Sequence, residues 1–205
     1  MIAIIDYGVG NLFSLSCSFK AVGADVVVTG DKEIIKSADK LVLPGVGAFE
    51  DAAKKLFDSG LADVVKERAA SGTPLLGICL GMQMLFEKSY EYGEHKGLGL
   101  IKGSVVSMQG RIPQNLNIPH IGWNALKKIT DSPILKYVND GDCVYFVHSY
   151  YATDCADSVS SVAEYGIDIT ASVENKNVYG CQFHPEKSGN VGLSILRAFC
   201  ELGEN

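Results

Sequence analysis

A chain of 205 residues, 47% of them hydrophobic, can bury one substantial core, so a single domain over residues 1–205 is expected. The formal charge of −6, without any block of Lys and Arg, argues against a nucleic-acid partner or an acidic membrane surface. No basic segment precedes an apolar run, and no apolar run approaches the ~18 residues of a membrane span, so a soluble, cytoplasmic chain without signal peptide or transmembrane helix is expected.

Met1–Asp6 is a continuous apolar run of the kind found in a parallel strand buried on both faces. Gly8-Val9-Gly10-Asn11 then turns the chain into a helical pattern that runs to about Val22. The GxG invites a dinucleotide reading, but Phe13 stands where the third glycine would fall, and a glycine-rich strand-to-helix turn is the simpler account. Asp25–Thr29 is a second β-branched strand, Lys32–Ser37 a short helix, and Lys40–Leu43 a third strand leading into PGVGAF at 44–49. Helical patterns follow at Glu50–Asp58 and Leu61–Ser71, the latter with Leu61, Val64, Val65 and Arg68 on one face.

The apolar run Pro74–Ile78 delivers Cys79 into Gly77-Ile78-Cys79-Leu80-Gly81, ahead of a helix-forming run to Glu87. Glycine–x–nucleophile–x–glycine lets a strand turn sharply into a helix, so that the central side chain projects from the strand's end. A thiol at a helix N-terminus faces unpaired N–H groups, which favours thiolate. A buried core cysteine is the competing account. Strands alternating with helices over this half imply a parallel sheet, and ligands in such sheets bind beyond the carboxyl ends of the strands. Asp6–Asn11, Pro44–Phe49 and Cys79 should therefore gather on one edge.

The second half changes texture. Leu98–Met108, His120–Ile129, Val144–His148, Ser160–Glu164, Ile169–Glu174 and Val178–Phe183 are short strand candidates with few helices between them. Ser188–Leu202 closes the chain as an amphipathic helix with Leu193, Leu196, Phe199 and Cys200 at helical spacing. The expected class is α/β: a mostly parallel central sheet flanked by helices, with additional antiparallel strands from the second half. The cysteines at 17, 79, 143, 155, 181 and 200 are scattered and never paired as CxxC, which fits reduced thiols and no metal site.

A thiol nucleophile needs a base. His95 lies in the polar stretch Glu91–Lys96 and reads as a solvated loop residue, and His120 reads as a structural histidine before a strand. His148 and His184 each end a strand, and both remain candidates. His184 is favoured because Pro185 stiffens its turn and Glu186 can orient its ring.

Cys79 in GICLGMQ, followed about a hundred residues later by FHPE, resembles the class I (triad) glutamine amidotransferases. PGVGAF at 44–49, HIGWN at 120–124, VHSYY at 147–151, GCQFHPEKSG at 180–189 and the opening IAIIDYGVGNL are similar to those members that serve histidine biosynthesis. The likeness covers essentially the whole chain. It implies a glutaminase with Cys79 as nucleophile, His184 as base and acid, and Glu186 orienting the histidine. It further implies oxyanion donors at Leu80 and in the PGVG loop at Val46 or Gly47, and a glutamine site around Gly47, Gln83, Ser149 and Tyr150. No cofactor and no metal are implied. The implied partner is a (β/α)₈-barrel cyclase subunit that receives the ammonia, docked in a heterodimer through segments holding Asn11, Trp123, Tyr137 and Lys187. Glycines on both sides of Val46 would allow the Gly45–Val46 peptide to flip and assemble the oxyanion site only when the acceptor is ready. Three other readings stay open on sequence: the same chemistry serving another synthase, against which HIGWN and PGVG speak, an idle interaction subunit, and a partner-free γ-glutamyl hydrolase.

Overall fold

The apolar runs of the first half form strands whose alternate residues point into two different cores. The structure is a computed structural model describing residues 1–203, so the last two residues of the expected domain lie outside the described residues. Its elements are β1 (Ile2–Ile5), α1 (Leu12–Ala21), β2 (Val26–Thr29), α2 (Lys32–Ser37), β3 (Lys40–Leu43), α3 (Phe49–Asp58), α4 (Leu61–Ala70), β4 (Leu75–Ile78) and α5 (Leu80–Met84). There follow β5 (Phe86–Ser89), β6 (His95–Lys96), β7 (Ile101–Ser107), β8 (His120–Ala125), β9 (Lys127–Lys128), β10 (Cys143–His148) and β11 (Tyr150–Thr153). The chain ends with β12 (Val159–Glu164), β13 (Asp168–Asn175), β14 (Val178–Cys181) and α6 (Gly189–Cys200).

The central sheet has the order β2-β1-β3-β4-β14-β13-β12-β9. The pairs from β2 through β14 are parallel, and β13, β12 and β9 extend the sheet antiparallel. Ala3, Ile5, Leu41, Leu43 and Leu75 face one core, under α3 and α4 with Phe49, Leu56 and Val65. Ile2, Ile4, Val42, Leu76 and Ile78 face the other, under α1 and α6 with Leu15, Phe19, Leu196 and Phe199. That alternation is the period of two that a strand imposes, and each fully buried Leu, Ile or Phe contributes about 1.5–3 kcal/mol. On α4, Leu61, Val64 and Val65 are buried, and Arg68 reaches over to donate to the Ala38 carbonyl at 2.9 Å. On α6 the buried set is Gly192, Ile195, Leu196, Ala198 and Phe199, while Leu193 and Cys200 are half-buried.

Two sequence expectations need correction. The helix after Cys79 does not run to Glu87: it stops at Met84, and Phe86–Ser89 is a strand. The Leu98 N–H bonds the Met84 carbonyl, and those of Leu100 and Ile101 bond the Leu85 carbonyl, so a distant segment takes the acceptors that a longer helix would use. The expected α/β class holds, with the second-half strands spread over three sheets. β14 joins its parallel part, β10 pairs only with β8, and β11-β7-β5-β6 forms a separate four-stranded sheet. His95 is not a solvated loop residue either, because it sits in β6 half-buried, with Nε2 4.0 Å from Glu50.

Candidate active site

At the carboxyl ends of β1, β3 and β4 the three stretches singled out by sequence meet. The Tyr7 hydroxyl donates to the Pro44 carbonyl at 2.6 Å. A Cβ on Gly45 would stand 2.7 Å from Gly81 N and 2.9 Å from Leu80 Cβ, so Gly45 is glycine because the elbow leaves no room there. Gly47 has open space around it but φ +94°, which side chains disfavour.

Cys79 occupies φ 54°, ψ −112°, a strained conformation for a residue with a Cβ. Its N–H bonds the Cys181 carbonyl at 2.7 Å, pinning the elbow to β14. Gly77 makes the turn possible, since a Cβ there would lie 2.8 Å from the Gly81 carbonyl oxygen and the Met82 backbone. Leu80 opens α5, so its N–H has no carbonyl one turn earlier to bond.

His184 follows β14, its N–H bonded to the Tyr145 carbonyl at 2.9 Å and its carbonyl accepting the Ser188 hydroxyl at 2.6 Å. Its Nδ1 meets Glu186 Oε1 at 2.8 Å, with both side chains buried, which leaves Nε2 for the thiol. Burial pulls the imidazolium's pKa down, but the Cys79 sulfur and then Glu186 more than reverse it, raising the value to about 9. The Gln182 Nε2 donates to the Cys79 sulfur at 3.7 Å, and its Oε1 accepts from Gln83 Nε2 at 2.9 Å. Gln83 is buried, and Nε2 also donates to the Tyr150 carbonyl at 3.0 Å.

A cavity of about 530 Å³ opens above these groups. Val46, Gly47, Cys79, Leu80, Gln83, Ser149, Tyr150 and His184 all line it, together with His148, Glu91 and Lys187. A larger depression of about 750 Å³ lies at the opposite edge, around Met1, Asp39 and Arg197, and among the described residues its lining holds no thiol–imidazole pair. His148 is buried with its Nδ1 2.8 Å from the Tyr150 carbonyl and Nε2 3.1 Å from His120 Nδ1, so neither nitrogen is left for a thiol.

Sequence reasoning passed over Glu91, Gln182 and Tyr7. Among the described residues Glu91 is the one carboxylate lining the cavity, and its Oε2 accepts the Phe49 N–H at 2.8 Å at the start of α3. Burial raises its pKa, against the Phe49 N–H and the charge of His95. Nothing local in the sequence marks it, since only the packing of the β5–β6 connection against α3 brings it there.

The surface beside the cavity holds some of the expected docking residues and not others. Trp123 is 58% exposed on the outer side of β8, edge-on to Tyr145 at 6.2 Å, and Lys187 Nζ lies 5.8 Å above the same Tyr145 ring. Asn11 flanks the edge as the residue before α1, with no capping bond from its side chain. Tyr137 is elsewhere: its hydroxyl bonds Glu201 at 2.7 Å and its ring packs against Arg197, at the far end of α6. Tyr145, not Tyr137, is the tyrosine packed beside Trp123 and Lys187.

Comparison with known proteins agrees with this geometry. A family model described as Glutamine amidotransferase class-I matches residues 3–201. The imidazole glycerol phosphate synthase subunit HisH of Caldanaerobacter subterraneus subsp. tengcongensis is 51% identical over 203 residues, covering 98% of each chain. The protein of the same name from Lactococcus lactis subsp. lactis is 51% identical over 201 residues, again 98% of each, and that of Methanothermobacter thermautotrophicus is 48% identical over 202 residues, 98% of each. A solved glutamine amidotransferase superposes with TM-score 0.75 at 19% identity, covering 97% of this chain and 98% of the other. One from Thermotoga maritima gives TM-score 0.70 at 17% identity, covering 98% and 95%, and both show the shared fold. On its matched length and its relatives, this chain belongs to the class I glutamine amidotransferases.

Proposed function

We propose that the chain hydrolyses L-glutamine to glutamate and ammonia as the glutaminase subunit of an imidazole glycerol phosphate synthase. The observation that carries the proposal is the buried His184 set between Glu186 and Cys79 at the floor of a cavity with room for glutamine, in a chain about half identical to such subunits. Cys79 sulfur adds to the side-chain amide carbon, the carbonyl oxygen takes the negative charge, and His184 gives its proton to the departing ammonia. The resulting thioester is hydrolysed by water from which His184 takes a proton, releasing glutamate and the thiol. Glu186 orients the ring and stabilises its charged form. The Leu80 N–H and a second donor from Val46 or Gly47 receive the oxyanion; one such donor is worth about 10²–10³ in rate.

Gly47, Gln83, Ser149 and Tyr150 form the substrate site. Gln83 acts there through its bonds to Tyr150 and Gln182. Glu91 joins them as the group that takes the substrate's α-ammonium. His148 supports the Tyr150 carbonyl and is not the base.

The relatives are named as subunits, so a partner subunit is part of the activity. The partner fits a (β/α)₈-barrel cyclase that joins the ammonia to a phosphorylated ribulosyl nucleotide, giving imidazole glycerol phosphate and an aminoimidazole carboxamide ribotide in the cytoplasm. It docks over Asn11, Trp123, Tyr145 and Lys187, beside the cavity mouth, so that ammonia passes between sites without meeting bulk water. Glutamate release by the purified chain, alone and with the cyclase plus its nucleotide ligand, tests the proposal. Release stimulated by that partner is expected. Full activity alone would favour a free hydrolase, and none in either state an idle subunit.

A further inference from the structure

His120 opens β8 and His148 closes β10, and the register of that pair sets them opposite each other. Their rings meet at 3.1 Å, His120 Nδ1 to His148 Nε2. His148 Nδ1 lies 2.8 Å from the Tyr150 carbonyl, which can only accept, so Nδ1 carries the hydrogen. Burial lowers the pKa of His148 to about 3 and that of His120 to about 4, so both rings are neutral at pH 7 and each has one N–H to give. His148 Nε2 must then accept, and His120 must donate from Nδ1. His120 Nε2 is left to accept from Asn124 Nδ2 at 3.4 Å. The Asn124 amide is oriented independently, because Nδ2 donates to the Glu164 carbonyl and Oδ1 accepts the Ala125 N–H, both at 2.8 Å. One arrangement of protons satisfies the whole line, Asn124 to His120 to His148 to the Tyr150 carbonyl.

The far end of that line matters because the chain changes sheets there. At Ser149 it leaves the β10–β8 pair and enters β11, which pairs with β7, and Ser149 and Tyr150 line the cavity at the crossing. The Tyr150 carbonyl is gripped from two sides, by His148 and by Gln83 Nε2 at 3.0 Å. His120 itself does not line the cavity. Its ring is stacked between Phe146, at 4.8 Å between centroids, and Tyr165, at 4.0 Å, so it offers its N–H from a fixed plane.

We infer that His120 is a positioning residue for glutamine binding: through His148 it locks the Ser149–Tyr150 turn in the orientation that receives the substrate. This rests on the reading of the cavity as a glutamine site. Without the His120 N–H, His148 Nε2 loses its donor, and the neutral ring can carry its hydrogen on Nε2 instead. The Nδ1 lone pair then faces the Tyr150 carbonyl oxygen, and the turn loosens. The His120–His148 bond involves neither the thiol nor the His184 ring, so the effect belongs in KM and not in kcat.

Two variants separate the N–H from the ring. His120→Phe keeps an aromatic face between Phe146 and Tyr165 and removes the donor. His120→Asn loses the ring and keeps an N–H where Nδ1 stood. Glutamate release is measured against glutamine concentration for each variant in complex with the cyclase and its nucleotide ligand. His120→Phe is expected to raise KM for glutamine about tenfold, with kcat within about twofold, and His120→Asn to stay within about threefold of the parent KM. An unchanged KM in His120→Phe, or a His120→Asn variant as impaired as His120→Phe, overturns the inference. Nitrogen-15 NMR of the unmutated protein supplies a readout that needs no variant to fold: both rings should be neutral with hydrogen on Nδ1 at pH 7, and hydrogen on Nε2 of either overturns it. Absence of glutamate release by the unmutated complex would instead overturn the glutaminase reading, and the NMR result would stand apart from it.

Discussion

Tyr7 holds Pro44. The buried Tyr7 hydroxyl donates to the Pro44 carbonyl at 2.6 Å, tying the turn after β1 to the loop proposed to carry an oxyanion donor. Burial first, and then the neighbouring Cys79, push the Tyr7 hydroxyl's pKa up, so it remains a donor at any working pH. Tyr7→Phe removes that donor and strands the carbonyl, at a cost of about 1–3 kcal/mol in stability. The loop is then free to drift, and kcat should fall about tenfold with a smaller change in KM. Steady-state kinetics and a denaturant melt of the variant check both figures.

Glu186→Gln should move the titration of His184. The folded-state pKa is raised to about 9 from an ordinary 6.5, so the protonated ring stabilises the fold fully below pH 6.5, and that contribution is lost as pH rises through 9. Removing the Glu186 charge takes away one of the two partners that raise the value, and the window narrows from its upper end. NMR titration of the His184 ring should show a lower pKa in the variant. The glutaminase rate should drop about 10²-fold, as expected when the orienting partner of a general acid–base is lost.

Glu91→Gln isolates a charge from a hydrogen bond. The Glu91 carboxylate caps α3 through the Phe49 N–H at 2.8 Å, and a glutamine oxygen can keep that bond. What disappears is the negative charge offered to the substrate's α-ammonium. A charge-assisted bond of about 1.5–3 kcal/mol corresponds to a rise in KM of about 10- to 160-fold, with thermal stability little changed. A melting temperature that falls while KM holds would return Glu91 to a purely capping role.

How far these features could be read in advance depends on how local their causes are. Cys79 and its glycines were legible because a strand turning at once into a helix demands small residues at fixed offsets, and φ 54° at Cys79 is that demand met. The first-half strands were legible because burial on both faces leaves an unbroken apolar run. β5 was not, since Phe86–Ser89 continues a helix-like pattern and is made a strand when the N–H groups of Leu98 to Ile101 take the carbonyls of Met84, Leu85 and Phe86. Glu91, Gln182 and the His120–His148 pair owe their places to contacts between distant segments, which no spacing rule encodes. Tyr137 and Tyr145 lie close in sequence, and only the pairing of β10 with β8 puts Tyr145 beside Trp123.

Trp123→Ala should weaken assembly without unfolding the chain. The ring is 58% exposed, so its loss opens little of either core. Buried aromatic anchors of an interface are worth about 2 kcal/mol or more, which corresponds to a Kd for the cyclase raised at least about 30-fold. Tyr137→Ala is the control, expected to leave Kd unchanged because its ring packs on Arg197 at the other end of α6. Titration calorimetry of both variants, with melts alongside, separates the docking role from a folding role.

Gly45 and Gly47 are glycines for different reasons, and that difference tests the proposed peptide flip. A methyl group on Gly45 would strike Gly81 N and Leu80 Cβ, both within 2.9 Å, and the loop would have to lift off the elbow. Gly45→Ala should therefore depress glutamate release with and without the cyclase, by about 10²-fold if one oxyanion donor is displaced. It is no selective probe of activation, because the added methyl group displaces the elbow itself. Gly47 has φ +94° and nothing within 4 Å of an added Cβ, so Gly47→Ala changes the backbone preference without a collision. The strain, about 1 kcal/mol, should bias the Val46 peptide toward one orientation and change the ratio of stimulated to basal turnover, leaving the elbow in place. A ratio equal to that of the parent, in a variant that still binds the cyclase, would show that the loop does not switch.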